Sequence, residues 1–287
     1  MSENEPLYSP AVIRRVMDRW GIDFRKNFGQ NFLIDGNIVR KIVREAGVGP
    51  QDTVLEIGPG IGTLTQELLG KAHRVISVEI DPQLLPILED HFGSDEKFRL
   101  VEGDALKLDF AALLAREQRE GALRLVANLP YYITTPLLKR FLTEGLPFQS
   151  LTVMVQKEVA DRMTAAPSSK EYGSLTLFIQ LYARAKRVIR APKEVFMPSP
   201  KVDSEVVHLV LKQEGEIPQG AEELGRLFQT VFQQRRKTAI NGFSRATGKS
   251  KSELRAVFDS LGLDPNLRPE NLSLKNFIDL RDCLKKC

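Results

Sequence analysis

Cysteine is all but missing from this chain of 287 residues: there are two, Cys283 and Cys287, both at the extreme C-terminus. A disulfide between them would close almost no loop and add little stability, so a disulfide scaffold is excluded and incidental thiols in a reducing compartment are expected. Histidine is as scarce. His73, His91 and His208 are scattered, which leaves no zinc-ligand spacing and no expected metal. No uninterrupted apolar run approaches the ~18 residues of a membrane span. Residues 1–10 are polar and contain Glu3 and Glu5. They lack the basic start and apolar core of a signal peptide, so the expectation is a cytoplasmic protein without a membrane partner. No G-x-x-x-x-G-K-[ST] run is present, which removes the usual phosphate cradle of a nucleoside triphosphatase. Disorder over most of the chain is excluded too, because 42% of the residues are hydrophobic and can build a core.

Charge is small overall but uneven. The chain carries 41 Lys+Arg against 37 Asp+Glu, a net +4 with a pI near 9.0. Residues 219–287 hold 13 of the basic and 8 of the acidic residues, a net +5. The first 218 therefore hold 28 and 29, a net −1. A localised positive excess suits a polyanion such as nucleic acid, although a solvated helical face produces the same count.

The segment 11–27 is a basic lead-in with Arg14, Arg15, Arg19, Arg25 and Lys26 among Trp20 and Phe24, followed by Phe28. Ile38, Val39, Ile42, Val43 and Ala46 then keep helical spacing, and Gly47 and Gly49-Pro50 end that helix. Beyond it strands and helices alternate. Strands are expected at 53–57, 75–79, 98–101, 123–127 and 151–155. Helices are expected at 63–69, 82–91 (opened by Asp81-Pro82), 110–118, 134–142 and 158–164. This alternation predicts a Rossmann-like α/β domain with a mainly parallel sheet covered on both faces. Residues 165–173, rich in Ser, Pro and Lys, read as a mobile loop, and a helix follows at 175–183. Strands at 187–189 and 206–211 flank a turn-rich stretch. After a linker at 215–220 the spacing is helical throughout, with helices at 224–232, 251–261 and 274–287. Two domains are expected, an α/β domain over 1–213 and a small basic all-helical domain over 214–287.

Glu56-Ile57-Gly58-Pro59-Gly60-Ile61-Gly62 joins the first of these strands to its helix. Glycines there permit a tight turn and close backbone approach to a ligand. The G-x-G-x-G spacing differs from the G-x-G-x-x-G of dinucleotide sites. Glu56 at the strand end would repel a pyrophosphate and favour a cation, such as the ammonium of S-adenosylmethionine. Glu79 closes the second strand, 21 residues after Gly58, a distance that suits hydrogen bonds from ribose hydroxyls. Asp104, before Ala105, closes the third and could accept from the amino group of the donor's adenine. A single acid at a strand end is often only a helix cap. Three in order, on the edge where open α/β sheets bind ligands, point to a methyl-donor site.

Asn128-Leu129-Pro130-Tyr131 follows the fourth strand. An adenine amino nitrogen is a poor nucleophile because its lone pair is delocalised into the ring. Two acceptors holding its hydrogens, the Asn128 Oδ1 and the Leu129 carbonyl, would favour the attacking geometry. Pro130 stiffens the turn and has no N–H to satisfy. Tyr131 offers a face on which an extruded base can stack. No strong base is needed, since the proton can leave after methyl transfer.

With these motifs in hand, the chain resembles the ribosomal RNA adenine dimethyltransferases of the KsgA (RsmA) family over nearly its whole length. Asn27-Phe28-Gly29-Gln30-Asn31-Phe32-Leu33 looks like the family's N-terminal donor motif. The stretches at 56–62, 79, 103–105 and 128–131 look like its successive motifs. Phe196-Met197-Pro198-Ser199-Pro200-Lys201-Val202-Asp203-Ser204 resembles the loop whose Phe meets the target base from the other side. Gln234-Arg235-Arg236-Lys237-Thr238 resembles the start of its RNA-contacting helical domain. The resemblance implies a donor site at Gln30, Asn31, Leu33, Glu56, Gly58, Gly60, Glu79, Asp104, Ala105 and Asn128. It implies a catalytic turn of Asn128, Leu129, Pro130 and Tyr131, a target base between Tyr131 and Phe196, and RNA contacts at Arg235, Arg236 and Lys237. It further implies S-adenosylmethionine as methyl donor with no metal, and a monomer acting late in assembly on 16S rRNA of the small ribosomal subunit. There two adjacent adenosines of the 3′-terminal hairpin would be dimethylated at N6. Tyr132 departs from the Asn that many members carry; the fit of Thr134-Thr135-Pro136 after it suggests the change is tolerated. Rival readings are a resistance-type 23S rRNA adenine N6-methyltransferase, a catalytically silent RNA-binding assembly factor, and, more weakly, a DNA adenine methyltransferase.

Overall fold

The structure is a computed structural model that describes residues 5–23, 30–117 and 121–286. Phe24, Arg25, Lys26, the Asn27-Phe28-Gly29 half of the N-terminal motif, Gln118 and Cys287 lie outside the described residues. The chain divides into two compact units.

The first unit comprises Met1–Ala160 and Lys186–Leu211. In chain order it contains α1 (Pro10–Trp20), β1 (Phe32–Leu33), α2 (Gly36–Glu45), β2 (Thr53–Ile57), α3 (Thr63–Leu69), β3 (Arg74–Glu79), α4 (Leu85–Phe92), β4 (Phe98–Glu102), α5 (Phe110–Ala115), β5 (Leu123–Asn128), α6 (Thr134–Thr143) and β6 (Phe148–Gln156). The chain leaves this unit within α7 (Lys157–Met163), passes through α8 (Ser174–Tyr182), and returns within β7 (Ala183–Ala191), followed by β8 (Phe196–Met197) and β9 (Ser204–Leu211). The main sheet has the order β4-β3-β2-β5-β6-β9-β7. The pairs β3/β4, β2/β3, β2/β5 and β5/β6 are parallel, and β6/β9 is antiparallel. The expected mainly parallel sheet is therefore present. Its centre is dry: every residue of β2 is buried, as a strand covered on both faces requires.

Local chemistry sets the helix ends. Asp35 caps α2 by accepting from the Asn37 and Ile38 N–H groups at 2.8 and 3.2 Å, and Asp109 caps α5 through the Ala112 N–H at 2.9 Å. Each such cap is worth about 1 kcal/mol. The helix expected at 82–91 begins later, at Leu85. Asp81 and Pro82 instead form the turn before it, where Asp81 Oδ1 accepts from the Gln83 N–H at 3.0 Å. The basic lead-in also forms a helix, α1. Val12, Ile13, Val16 and Met17 make its buried stripe, a helical spacing that the arginines between them disguise.

The second unit comprises Asp161–Ala185 and Lys212–Cys287. It holds α8, α9 (Ala221–Phe232), α10 (Ala239–Thr247), α11 (Lys251–Ser260) and α12 (Leu274–Lys286). Phe277 is its hub, with ring centroids 5.2 Å from Phe228 and 5.4 Å from Phe243. This division differs from a single cut after residue 213, because residues 161–185 join the helical unit. The reason lies in long-range bonds. Ser168 N–H donates to the Glu270 carbonyl at 2.7 Å, and Tyr172 Oη donates to the Leu272 carbonyl at 2.9 Å. The Ser/Pro/Lys-rich stretch is thus anchored to a segment a hundred residues downstream, where composition alone suggested a mobile loop. Among the described residues, no helix is long and apolar enough to cross a membrane.

Candidate active site

The C-terminal ends of β2, β3, β4 and β5 open into a cleft of about 970 Å³, mouth included. This is the edge on which open α/β sheets bind ligands. The glycine loop forms its floor. Gly58, Gly60 and Gly62 all have left-handed φ, +68°, +64° and +92°. A Cβ at Gly60 would lie 2.7 Å from the Phe32 ring, and one at Gly62 would lie 2.2 Å from the Phe92 ring. The alternate-glycine spacing therefore answers both backbone conformation and close packing.

Glu79 ends β3 at 5% exposure. Its Oε1 accepts from the Ile80 and Asp81 N–H groups, both at 2.9 Å, and its Oε2 from the Gly60 N–H at 3.3 Å. Oε2 thus keeps acceptor capacity toward the cleft. Burial pushes the Glu79 carboxyl up to about 7 against the pull of these three N–H groups, with the charge of Asp81 adding to the rise.

Glu56, within β2, is 1% exposed. Its Oε2 accepts from Ser77 Oγ and Thr65 Oγ1, each at 2.7 Å, and no described donor reaches Oε1. Burial pushes its carboxyl up to about 7 also, opposed by the two hydroxyls and reinforced by the charge of Glu79. A carboxylate so dry gains most from a cationic partner.

Asp104 follows β4 and accepts from the Leu106 N–H at 2.9 Å, with Lys107 Nζ at 3.5 Å. Arg140 of α6 holds this loop from below, donating to the Ala105 and Leu108 carbonyls at 2.7 and 2.8 Å. That support was not legible in the sequence, because Arg140 lies 35 residues from Ala105. Gln30 Nε2 donates to Asp81 Oδ2 at 2.7 Å, which ties the N-terminal motif to the turn after β3.

Asn128 ends β5. Its Nδ2 donates to the Asn31 carbonyl at 3.1 Å, so Oδ1 is the oxygen left to accept. The Leu129 N–H continues the ladder to the Met154 carbonyl at 3.2 Å. Among the described residues no hydrogen bond reaches Asn128 Oδ1 or the Leu129 carbonyl. Tyr131 is anchored by its hydroxyl, 2.6 Å from Ser204 Oγ, and burial raises its phenol. Gln30, Asn31, Leu33, Glu56, Gly58, Gly60, Glu79, Asp104, Ala105, Asn128, Leu129, Pro130 and Tyr131 all line this one cleft.

Phe196 does not. It is 3% exposed and packs within the core of the first unit. The cause is a two-strand ribbon absent from the sequence reading: β1 and β8 pair antiparallel, with Leu33 opposite Phe196 and Phe32 opposite Met197. Phe196 therefore lies buried beside Leu33 and is not among the residues that line the cleft. Two-residue strands are too short to show periodicity. In the helical unit, Arg235 is likewise committed, donating to the Lys170 carbonyl at 2.8 Å and pairing with Glu270 at 3.3 Å. Arg236 and Lys237 beside it are exposed.

Comparison with known proteins accords with this geometry. A protein of Geobacillus kaustophilus named ribosomal RNA small subunit methyltransferase A is 44% identical over 285 residues, covering 97% of each chain. The crystal structure of a dimethyladenosine transferase from Plasmodium falciparum superposes with a TM-score of 0.76 at 27% identity, covering 89% of this chain and 98% of that one. That of the 23S rRNA methyltransferase ErmE gives 0.68 at 25% identity, over 89% and 100%. The model of the ribosomal RNA adenine dimethylase family matches residues 21–286, and this chain belongs to that family of S-adenosylmethionine-dependent methyltransferases.

Proposed function

We propose that this chain uses S-adenosylmethionine to dimethylate the N6 amino groups of two adjacent adenosines in the 3′-terminal hairpin of 16S rRNA, during small-subunit assembly. The observation that carries the reading is the pair of unengaged acceptors, Asn128 Oδ1 and the Leu129 carbonyl, in a cleft that also holds the glycine loop and the buried carboxylates Glu56 and Glu79. The small-subunit target is favoured over the large-subunit one because the 44% identical relative bears the former name, while ErmE is 25% identical.

The residues fit the donor. Glu79 accepts from ribose, Asp104 from the adenine amino group, and Glu56 supplies negative charge toward the ammonium. The bound donor provides an electrophilic methyl on a positively charged sulfur. Asn128 Oδ1 and the Leu129 carbonyl accept the two N6 hydrogens and turn the nitrogen lone pair toward that methyl. When bound, such a donor would supply the methyl and take up the C–S electron pair on sulfur, while Asn128 Oδ1 and the Leu129 carbonyl hold the amino nitrogen until its extra proton passes to water. Tyr131 holds the base by stacking, its ring fixed by Ser204. Phe196 acts by packing beside Leu33, its partner across the β1/β8 ribbon. Methyl transfer from labelled donor to undermethylated small subunits, followed by mapping of the modified bases, tests the reading. Label in large-subunit RNA alone would overturn the choice of target.

Two expected results arise here. The first is a pH dependence. A Glu79 carboxyl raised to about 7 lies above its unfolded value of 4.5, so its contribution to stability is fully present below 4.5 and is lost as pH rises through 7. Donor binding runs the other way, because the ionised form is the better acceptor. Donor affinity measured by calorimetry should rise between pH 6 and pH 8, and Glu79→Gln should weaken binding and make the rise shallower, leaving the part that Glu56 contributes. An equal slope in the variant would remove Glu79 from the donor site.

The second concerns RNA. Replacing exposed Arg236 and Lys237 together by Ala should make the slope of log RNA affinity against log salt shallower by about 1.5, two phosphate contacts' worth, with donor affinity intact. Arg235→Ala should instead lower the melting temperature, since it cuts the ties to Lys170 and Glu270. An unchanged salt slope in the double variant would reduce the pair to a solvated face.

A further inference from the structure

Large apolar side chains exposed to water are few among the described residues, and two of them share the donor cleft: Tyr132, 57% exposed, and Ile80, 39% exposed. Singly, such residues are ordinary on a surface. Together in one cleft they need a partner. Ile80 directly follows Glu79 and donates its N–H to Glu79 Oε1 at 2.9 Å. Tyr132 lies in the turn between the Asn128-Leu129-Pro130-Tyr131 segment and α6. Burial and then the charges of Asp104 and Glu79 push its phenol above the ordinary value, so the ring lies within electrostatic reach of both acids. Those are the two groups assigned to the donor's adenosine. Tyr131 is committed elsewhere, through its bond to Ser204, so the two adjacent tyrosines serve different ends of the cleft.

A purine is flat, apolar on both faces, and carries its amino group on the edge. A slot for it needs two apolar walls and an acceptor at the rim. We propose that Tyr132 closes over the adenine ring of the bound methyl donor, with Ile80 as the opposing wall and Asp104 as the edge acceptor. This deepens the reading of the cleft as a donor site and rests on it. Tyr132 then sets how tightly donor and product are held, whereas Tyr131 sets capture of the target. A purine held there would cover the exposed faces of Tyr132 and Ile80.

The test is calorimetry on the full chain without RNA, with S-adenosylhomocysteine and methylthioadenosine as probes. Tyr132→Ala should weaken both by about tenfold, the usual scale of a lost base–aromatic stack, and Tyr132→Phe should restore binding. RNA affinity should not change in either variant. A thermal melt checks folding, which a side chain this exposed should not disturb. Unchanged probe affinity in Tyr132→Ala, or a loss of RNA affinity in its place, overturns the proposal and gives the residue to the target strand. Asp104→Ala serves as reference. If it weakens the probes while Tyr132→Ala does not, only the role of Tyr132 fails. If neither variant weakens them, the donor-site reading fails with it.

Discussion

Asn128→Ala should lower the single-turnover methylation rate at saturating RNA and donor by about a hundredfold, the usual scale for losing one preorganised acceptor or donor at a reacting centre. The side chain is placed for this by two unrelated constraints. Its backbone is the last residue of β5, paired in register with Met154 of β6. Its amide is rotated by the 3.1 Å bond from Nδ2 to the Asn31 carbonyl, which leaves Oδ1 as the acceptor. Alanine removes that acceptor while the backbone, held by β6, stays. Saturation is essential, because the bond to Asn31 also links Asn128 to the N-terminal donor motif, and a change in donor affinity must not pass for a change in chemistry. Asn128→Asp is the sharper variant. It keeps an acceptor but cannot donate to the Asn31 carbonyl, so it should be impaired through orientation and donor binding together. A normal saturated rate in Asn128→Ala would overturn the proposed mechanism even with the donor site intact.

Gly62→Ala should destabilise the protein by roughly 2–5 kcal/mol, the sum of a left-handed backbone penalty and an overpacked core. Gly62 is the N-cap of α3 with φ +92°. The added Cβ would lie 2.2 and 2.7 Å from Phe92 and 3.4 Å from Leu88. Phe92 cannot step aside, because it is 7% exposed and packs on Phe98 with ring centroids 5.3 Å apart. The loop must move instead, and with it the Gly60 N–H that donates to Glu79. The melting temperature should therefore fall by on the order of 10 °C, and donor affinity should fall beyond what the loss of folded protein explains. Gly145→Ala is the control. It has the same left-handed backbone, φ +68°, but nothing within 4 Å of the new Cβ, so it should show the conformational cost of about 1–2 kcal/mol alone. Equal losses in the two variants would mean that the contact with Phe92 contributes nothing.

The parallel strand–helix alternation, the glycine loop, the acids at the ends of β3 and β4, and the segment from Asn128 to Tyr131 are all legible in the sequence. Each is a local matter. An apolar run such as β2 is a buried strand wherever it occurs, and glycines two apart at a strand end mark backbone that other residues resist adopting. Other placements depend on groups far apart in the chain. Residues 165–173 join the helical unit because Ser168 and Tyr172 bond to Glu270 and Leu272. Phe196 is buried in the core beside Leu33, where a two-residue strand pairs it. Arg235 is tied inward by Lys170 and Glu270 while Arg236 and Lys237 face water. Tyr131 is fixed by Ser204, 73 residues on. In each case residue type and local spacing were compatible with more than one placement. A hydrogen bond or packing contact closed over tens of residues selected one, and periodicity, which reports only what lies within a few turns or strand repeats, carries no trace of it.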